Sequence, residues 1–244
     1  MTSTGPAERQ TIRAPAKLTV SLRIAGVRAD GYHLLDAEMV SIDLADELTF
    51  VDGEGITVGG PASNGVPVGP DNLVARALAA VDRRVAVHVE KRIPPGGGLG
   101  GGSSDAAAVL RWAGVHDVAL AARLGADVPF CVRGGRARVT GIGDGLEALP
   151  FEQRTFTVST PDFGCDTAAV YAAWDELGGP TADGPNDLAP AALRVAPALA
   201  AFRDALGDAT GETPVLAGSG STWFVAGAHP GPGRTVVRTV PAHA

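Results

Sequence analysis

Between Lys17 and Ile24 apolar and polar residues alternate, with Leu18, Val20, Leu22 and Ile24 set against Lys17, Thr19, Ser21 and Arg23. A period of two predicts a half-buried strand that carries its four polar side chains on one face. Leu35–Asp43, Glu47–Val51 and Val85–Val89 read as further strands. Elsewhere the period lengthens. Leu73, Val74, Ala77, Leu78 and Val81 make one helical stripe, which Asp71 is expected to cap. The Ala-rich segment Ser103–Trp112, capped by serine, and the short Val118–Arg123 are also expected helices. Phe130–Val132 and Arg136–Thr140 are expected strands. Asp127 lies just before the first of them, in Gly125-Ala126-Asp127-Val128-Pro129, where Pro129 favours an extended Val128 and hence a loop-to-strand junction.

Around Leu149–Gln153 the pattern restarts. A strand at Thr155–Thr160 precedes a helix at Thr167–Leu177, a Gly/Pro loop to Asn186 and helices within Ala191–Leu206. Strands at Val215–Leu216, Trp223–Val225 and Thr235–Thr239 follow. Residues 1–12 read as a tail and Gly53–Pro70 as loop and hairpin. Strands and helices mix without a regular βαβ rhythm, which predicts an α+β protein in two lobes, residues 1–150 and 151–244.

Composition narrows the function. Of 244 residues, 45% are hydrophobic and 19% charged, which excludes wholesale disorder. With 20 basic and 27 acidic side chains the net charge is −7, so the chain has no global attraction for nucleic acid or anionic lipid. Any phosphate must be held locally. No apolar run approaches a membrane span, and the first residues show no secretory pattern. Cys131 and Cys165 fit neither a disulfide framework nor a thiolate metal site. A cytoplasmic protein is expected. Lys17 and Lys91 are the only lysines, and in a chain that otherwise uses arginine this hints at a point-charge role for Lys17.

The strongest local signal is Pro95-Gly96-Gly97-Gly98-Leu99-Gly100-Gly101-Gly102-Ser103-Ser104. Without Cβ atoms such a loop can turn its N–H groups inward and let a phosphate approach. The helix behind it adds unpaired N–H groups and the positive end of its dipole. Ser103 or Ser104 could also ligate Mg²⁺. Gly101 is expected at positive φ, a conformation closed to a β-branched residue. The loop is not of the Walker type, because no G-K-[ST] ends it. The G-x-G-x-x-G spacing within it does not leave a strand directly, so it is no dinucleotide fingerprint.

Four weaker features accompany the loop: Ala14-Pro15-Ala16-Lys17, Asp30-Gly31-Tyr32-His33, Asp127 in its G-A-D-V-P element, and Gly218-Ser219-Gly220-Ser221. Each alone reads as a strand end, a turn or a hairpin. Together with Asn186-Asp187-Leu188, their order from about Arg13 to Thr239 resembles the galactokinase–homoserine kinase–mevalonate kinase–phosphomevalonate kinase (GHMP) superfamily. D-G-Y-H and G-A-D-V-P resemble its 4-diphosphocytidyl-2-C-methyl-D-erythritol kinase family.

The resemblance implies a two-lobed fold, the N-terminal lobe ribosomal-protein-S5-domain-2-like and the C-terminal lobe ferredoxin-like. It also implies ATP- and Mg²⁺-dependent phosphorylation of a cytidine-diphosphate substrate, with no tightly bound protein-ligated metal. Asp127 then takes the hydroxyl proton beside Lys17. Tyr32 and His33 recognise cytosine, and Tyr171 stacks on its other face. Thr19 stands where the family usually has Asn and faces the substrate, and Gly218, Ser219 and Gly220 form a glycine turn near the site. A monomer or homodimer without nucleic-acid or membrane partners is expected. The segments Ala113–Arg123 and Ala226–Arg234 are short for the family. Another small-molecule kinase of the superfamily and a nucleotide-binding homologue without catalysis are the alternatives.

Overall fold

The computed structural model describes residues 9–243. Its framework is a long antiparallel hairpin, β1 (Gln10–Val27) and β2 (His33–Val51), paired from Gln10↔Phe50 to Val27↔His33. The predicted tail therefore belongs to β1 from Gln10 onward, and its first eight residues lie outside the described residues. The two strands expected within Leu35–Val51 are one. Leu44-Ala45-Asp46 between them continues the strand, since Ala45 and Asp46 pair with Pro15 and Ala14, and Asp46 is fully buried against Lys91.

β2 is the hub of a six-stranded sheet. It pairs with β1, with β4 (Ala86–Glu90) and with β5 (Arg136–Gly141). β3 (Gly55–Gly59), inside the segment expected to be loop and hairpin, adds parallel to β4, and β6 (Gly145–Ala148) adds to β5. Helices α1 (Leu73–Ala80), α2 (Gly101–Trp112), α3 (Val118–Leu124) and α4 (Val128–Arg133) share one core with this sheet, built from Leu48, Val74, Ala107, Leu110, Phe130 and Val139.

Three predicted boundaries move. Asn72, not Asp71, caps α1, its side chain accepting from the Val74 N–H at 2.8 Å. α2 starts at Gly101 rather than Ser103, because Gly100 (φ 69°, ψ 27°) is the last left-handed residue and the chain turns helical directly after it; no side chain caps it. The expected strand at Phe130–Val132 is the middle of α4. Pro129 lies in the first turn of that helix, where a missing N–H costs nothing. The run is buried throughout, so its apolar pattern carries no period to tell helix from strand.

A second antiparallel sheet, in the order β10-β7-β9-β8, contains β7 (Thr155–Ser159), β8 (Val215–Leu216), β9 (Trp223–Ala226) and β10 (Thr235–Arg238). α5 (Thr167–Glu176), α6 (Ala189–Val195) and α7 (Leu199–Thr210) pack on it around Val170, Trp174, Leu199 and Trp223. Leu18, Val20, Val40 and Ile42 from the hairpin join Phe156, Val158, Phe224 and Val237 in a third cluster between the sheets. β1 is thus covered on both sides near the glycine loop: Lys17 is 5% exposed and Thr19 1%, whereas Ser21 and Arg23, farther along the same polar face, are half-buried.

Candidate active site

A cavity of about 920 Å³ opens beside that buried polar face. Pro95 through Ser103 line it, with Lys17, Thr19, Tyr32, His33, Asp127, Tyr171, Gly218 and Ser219. Gly96, Gly98 and Gly100 hold positive φ of 72°, 75° and 69°. Gly101 does not, so the expectation of positive φ there is corrected: it is the first residue of α2. The glycines at 98 and 100 are required by contact as well as by conformation. A Cβ on Gly98 would lie 2.5 Å from the Ala217 carbonyl oxygen and 2.6 Å from that of Gly220. One on Gly100 would lie 2.8 Å from Lys17 Cγ. The loop is fixed from both sides, since the Lys17 N–H donates to the Leu99 carbonyl (3.0 Å) and the Thr222 N–H to that of Gly97 (3.2 Å).

Ser104 gives the first backbone N–H bonded within α2, to the Gly100 carbonyl at 2.8 Å. The N–H groups of Gly101, Gly102 and Ser103 precede it at the helix start, where a bound anion is stabilised. The two serines part company. Ser104 is buried, and its hydroxyl donates to the Pro15 carbonyl at 2.7 Å. Ser103 lines the cavity.

Lys17 Nζ lies 3.3 Å from Asp127 Oδ2 and donates to Thr19 Oγ1 at 3.2 Å. Asp127 occupies the N-cap position of α4 yet makes no side-chain cap bond, which leaves its carboxylate to Lys17 and the cavity. A Cβ on Gly218 would come within 3.4 Å of Lys17 Nζ, so the glycine turn covers this pair. Gly220, at the far end of the turn, is not among the lining residues and packs toward Leu216 and Cys165 instead.

At the turn end of the hairpin, Tyr32 is 60% exposed, and His33 packs on Tyr171 (ring centroids 4.7 Å apart, tilted 37°) and on Trp174 (5.4 Å, edge-on). Burial, and secondarily the charge of Asp127, push the Tyr171 phenol upward, so it stays neutral and can present its ring or donate. The glycine loop with the start of α2, a lysine–aspartate pair and an aromatic wall thus share one cavity.

The family described as "GHMP kinases N terminal domain" matches residues 72–135, which hold the glycine loop and Asp127. A 4-diphosphocytidyl-2-C-methyl-D-erythritol kinase of Granulibacter bethesdensis is 36% identical over 94% of this chain and 89% of its own length. A crystal structure of a 4-(cytidine 5'-diphospho)-2C-methyl-D-erythritol kinase superposes with a TM-score of 0.77 at 31% identity, covering 94% of this chain and 99% of that one. The chain belongs to the 4-diphosphocytidyl-2-C-methyl-D-erythritol kinase family. A homoserine kinase from Cytophaga hutchinsonii, at TM-score 0.57 and 16% identity over 99% and 97% of the two chains, shares the fold.

Two features of this kinase escaped the sequence reading. The first is a buried charge cluster behind the glycine loop. Lys91 Nζ bonds to Asp46 and, at 2.6 Å, to Asp105 Oδ2. Asp46 Oδ1 also accepts the N–H groups of Arg92 (2.6 Å) and Ile93 (2.8 Å). The cluster therefore joins the chain entering the loop to the helix leaving it. Burial opposes the charge on Lys91, but Asp105 and Asp46 outweigh it and raise its ammonium above the usual range. Burial pushes the Asp105 carboxyl up to about 7, against the pull of Lys91 and with the help of Asp46. The only hint in sequence was the second lysine of an arginine-using chain.

The second is the work of Asn186-Asp187-Leu188. Asn186 Nδ2 donates to the carbonyls of Leu216 (2.8 Å) and Gly218 (2.7 Å), and Asp187 accepts from Arg23 Nη1 (2.7 Å) and the Ile24 N–H (2.9 Å). These residues clasp the glycine turn to β1.

Proposed function

We propose that this chain transfers the γ-phosphoryl group of ATP to the 2-hydroxyl of 4-diphosphocytidyl-2-C-methyl-D-erythritol. The observation that carries the reading is the Lys17–Asp127 pair, 3.3 Å apart, inside a cavity shared with the glycine loop and the His33–Tyr171 wall. The loop backbone and the N-terminus of α2 hold the ATP phosphates, with the base end of the nucleotide toward Val66, Pro67 and Leu73 on the same cavity wall. Tyr32, His33 and Tyr171 hold the cytosine. Thr19 faces the substrate and steadies Lys17.

Asp127 accepts the proton of the hydroxyl as its oxygen forms a bond to the γ-phosphorus, the bond from that phosphorus to the bridging oxygen breaks, and ADP leaves. Lys17 orients Asp127 and offsets negative charge that gathers on the transferring group. The glycine loop and the start of α2 face the cavity with backbone N–H groups that suit phosphates, and the Ser103 hydroxyl there would supply an oxygen ligand for Mg²⁺. When bound, Mg²⁺ neutralises phosphate charge. Among the described residues no group of three or more His, Cys, Asp or Glu could hold a metal ion.

We divide the chain at about residue 150, since the strands of the first sheet lie within residues 10–148 and those of the second within 155–238. Among the described residues no helix is long and apolar enough to cross a membrane. The free cysteines Cys131 and Cys165 suit the cytoplasm. The test is ADP release by purified protein offered the cytidylyl substrate, homoserine or mevalonate. Turnover with the first alone is expected; turnover with only the other two would overturn the reading.

A further inference from the structure

His33 makes one side-chain hydrogen bond among the described residues, from Nε2 to Asp175 Oδ1 at 2.9 Å. Tyr171 and Asp175 stand four apart on α5 and so share a face of that helix. Tyr171 and Trp174 pack against the His33 ring, which limits its rotation, and Asp175 receives its outer nitrogen. All but Trp174 line the cavity.

An ionised carboxylate only accepts hydrogen bonds, so the nitrogen facing Asp175 must carry the proton. In the neutral ring, Nδ1 is then left with a lone pair and can only accept. Cytosine and uracil differ at the edge that such a nitrogen would read. Cytosine presents an amino donor at its fourth ring position, whereas uracil, like thymine, presents a carbonyl acceptor there. An accepting Nδ1 pairs with the first and repels the second. The opposite tautomer would reverse the choice.

We propose that Asp175 is a positioning residue that fixes His33 in the Nδ1-accepting tautomer and so sets the preference for a cytosine over a uracil base. The inference rests on the assignment of His33 to base recognition. It adds that a residue which need not touch the substrate decides which base His33 admits. A plain structural latch between α5 and β2 has another signature. It would hold the ring in place for either base, and its loss would weaken both alike.

The test is calorimetric binding of CDP and UDP to the wild type, Asp175→Asn and His33→Ala. The wild type should prefer CDP by about tenfold or more, the range of a specific base-edge contact. In Asp175→Asn, whose amide can donate to Nε2 and stabilise the other tautomer, the preference should fall below about threefold, mainly through weaker CDP binding. An unchanged CDP-to-UDP ratio in the folded variant overturns the inference, whether or not both affinities drop. If His33→Ala loses CDP while Asp175→Asn keeps the ratio, only the role of Asp175 fails. If His33→Ala binds CDP as the wild type does, the underlying base-recognition reading fails as well. Nitrogen NMR of the wild-type imidazole with CDP bound needs no variant of Asp175. A protonated Nε2 and an unprotonated Nδ1 are expected, and a proton on Nδ1 overturns the inference.

Discussion

At the scale of single residues, the proposed chemistry depends on Asp127 keeping its carboxylate off the helix it precedes. Most aspartates at an N-cap spend an oxygen on the helix's first N–H groups; Asp166 and Asp117 do so here, accepting from Ala169 and Leu120. Asp127 does not. Asp127→Asn keeps the shape but cannot take a proton. General-base assistance is worth about 10²–10⁴-fold, so kcat should fall by that factor while ATP and substrate still bind. Lys17→Met should lower kcat too. The double variant should lose less than the product of the single losses, because the two side chains touch. Stability, ATP affinity and single-turnover rate measured on one preparation check this. A cooler melting point with near-normal turnover would reduce Asp127 to a turn residue.

At the scale of elements, the loop works because its two stems are joined. Asp46 holds the backbone of Arg92 and Ile93, and Lys91 links it to Asp105 on α2. This gives a stability profile with a defined sign. The folded-state pKa of Asp105 is raised from 3.8 to about 7, so the native protein holds a proton that the unfolded chain releases. The stabilisation is fully present below about pH 4 and is lost as pH rises through about 7. Asp105→Asn removes the titration while keeping an acceptor for Lys91. Urea unfolding of both proteins from pH 4.5 to 8 should show the wild type losing ground to Asp105→Asn by roughly 1–4 kcal/mol. Parallel profiles would show that Asp105 stays ionised throughout.

At the scale of the whole molecule, the cavity belongs to both sheets. The phosphate loop comes from the first, and it docks on the glycine turn before β9 of the second, with Gly98 against the carbonyls of Ala217 and Gly220. Asn186 and Asp187 tie the same turn to β1. The joint has no room for one methyl group. Gly98→Ala combines a left-handed backbone with a clash against main chain and should cost roughly 2–4 kcal/mol, lowering Tm by about 5 °C or more. Gly102→Ala, helical and with only Leu73 in ordinary contact at 3.4 Å, should melt near the wild-type temperature. Equal melting points would show that the two sheets are not locked through Gly98.

The amino-acid sequence by itself determined the α+β class and the family, and it singled out the glycine loop. Phosphate recognition by a glycine run and the helix behind it is local in the chain, so residues 96–104 carry their own evidence. Only the tertiary structure decided the rest. The resemblance implies that Asp127 stands beside Lys17, but nothing in either segment specifies a 3.3 Å approach; β1 and the start of α4 bring the two together. The cover over Lys17 and Thr19, the single long β2 and the helical Phe130–Val132 go beyond the sequence pattern for a related reason. Alternation reports which side chains share a face but not what covers it, and a short, fully buried run has no polar side to show its period. Nothing local marks Asp46 as buried until Lys91 is folded against it, because a buried charge needs a partner buried with it.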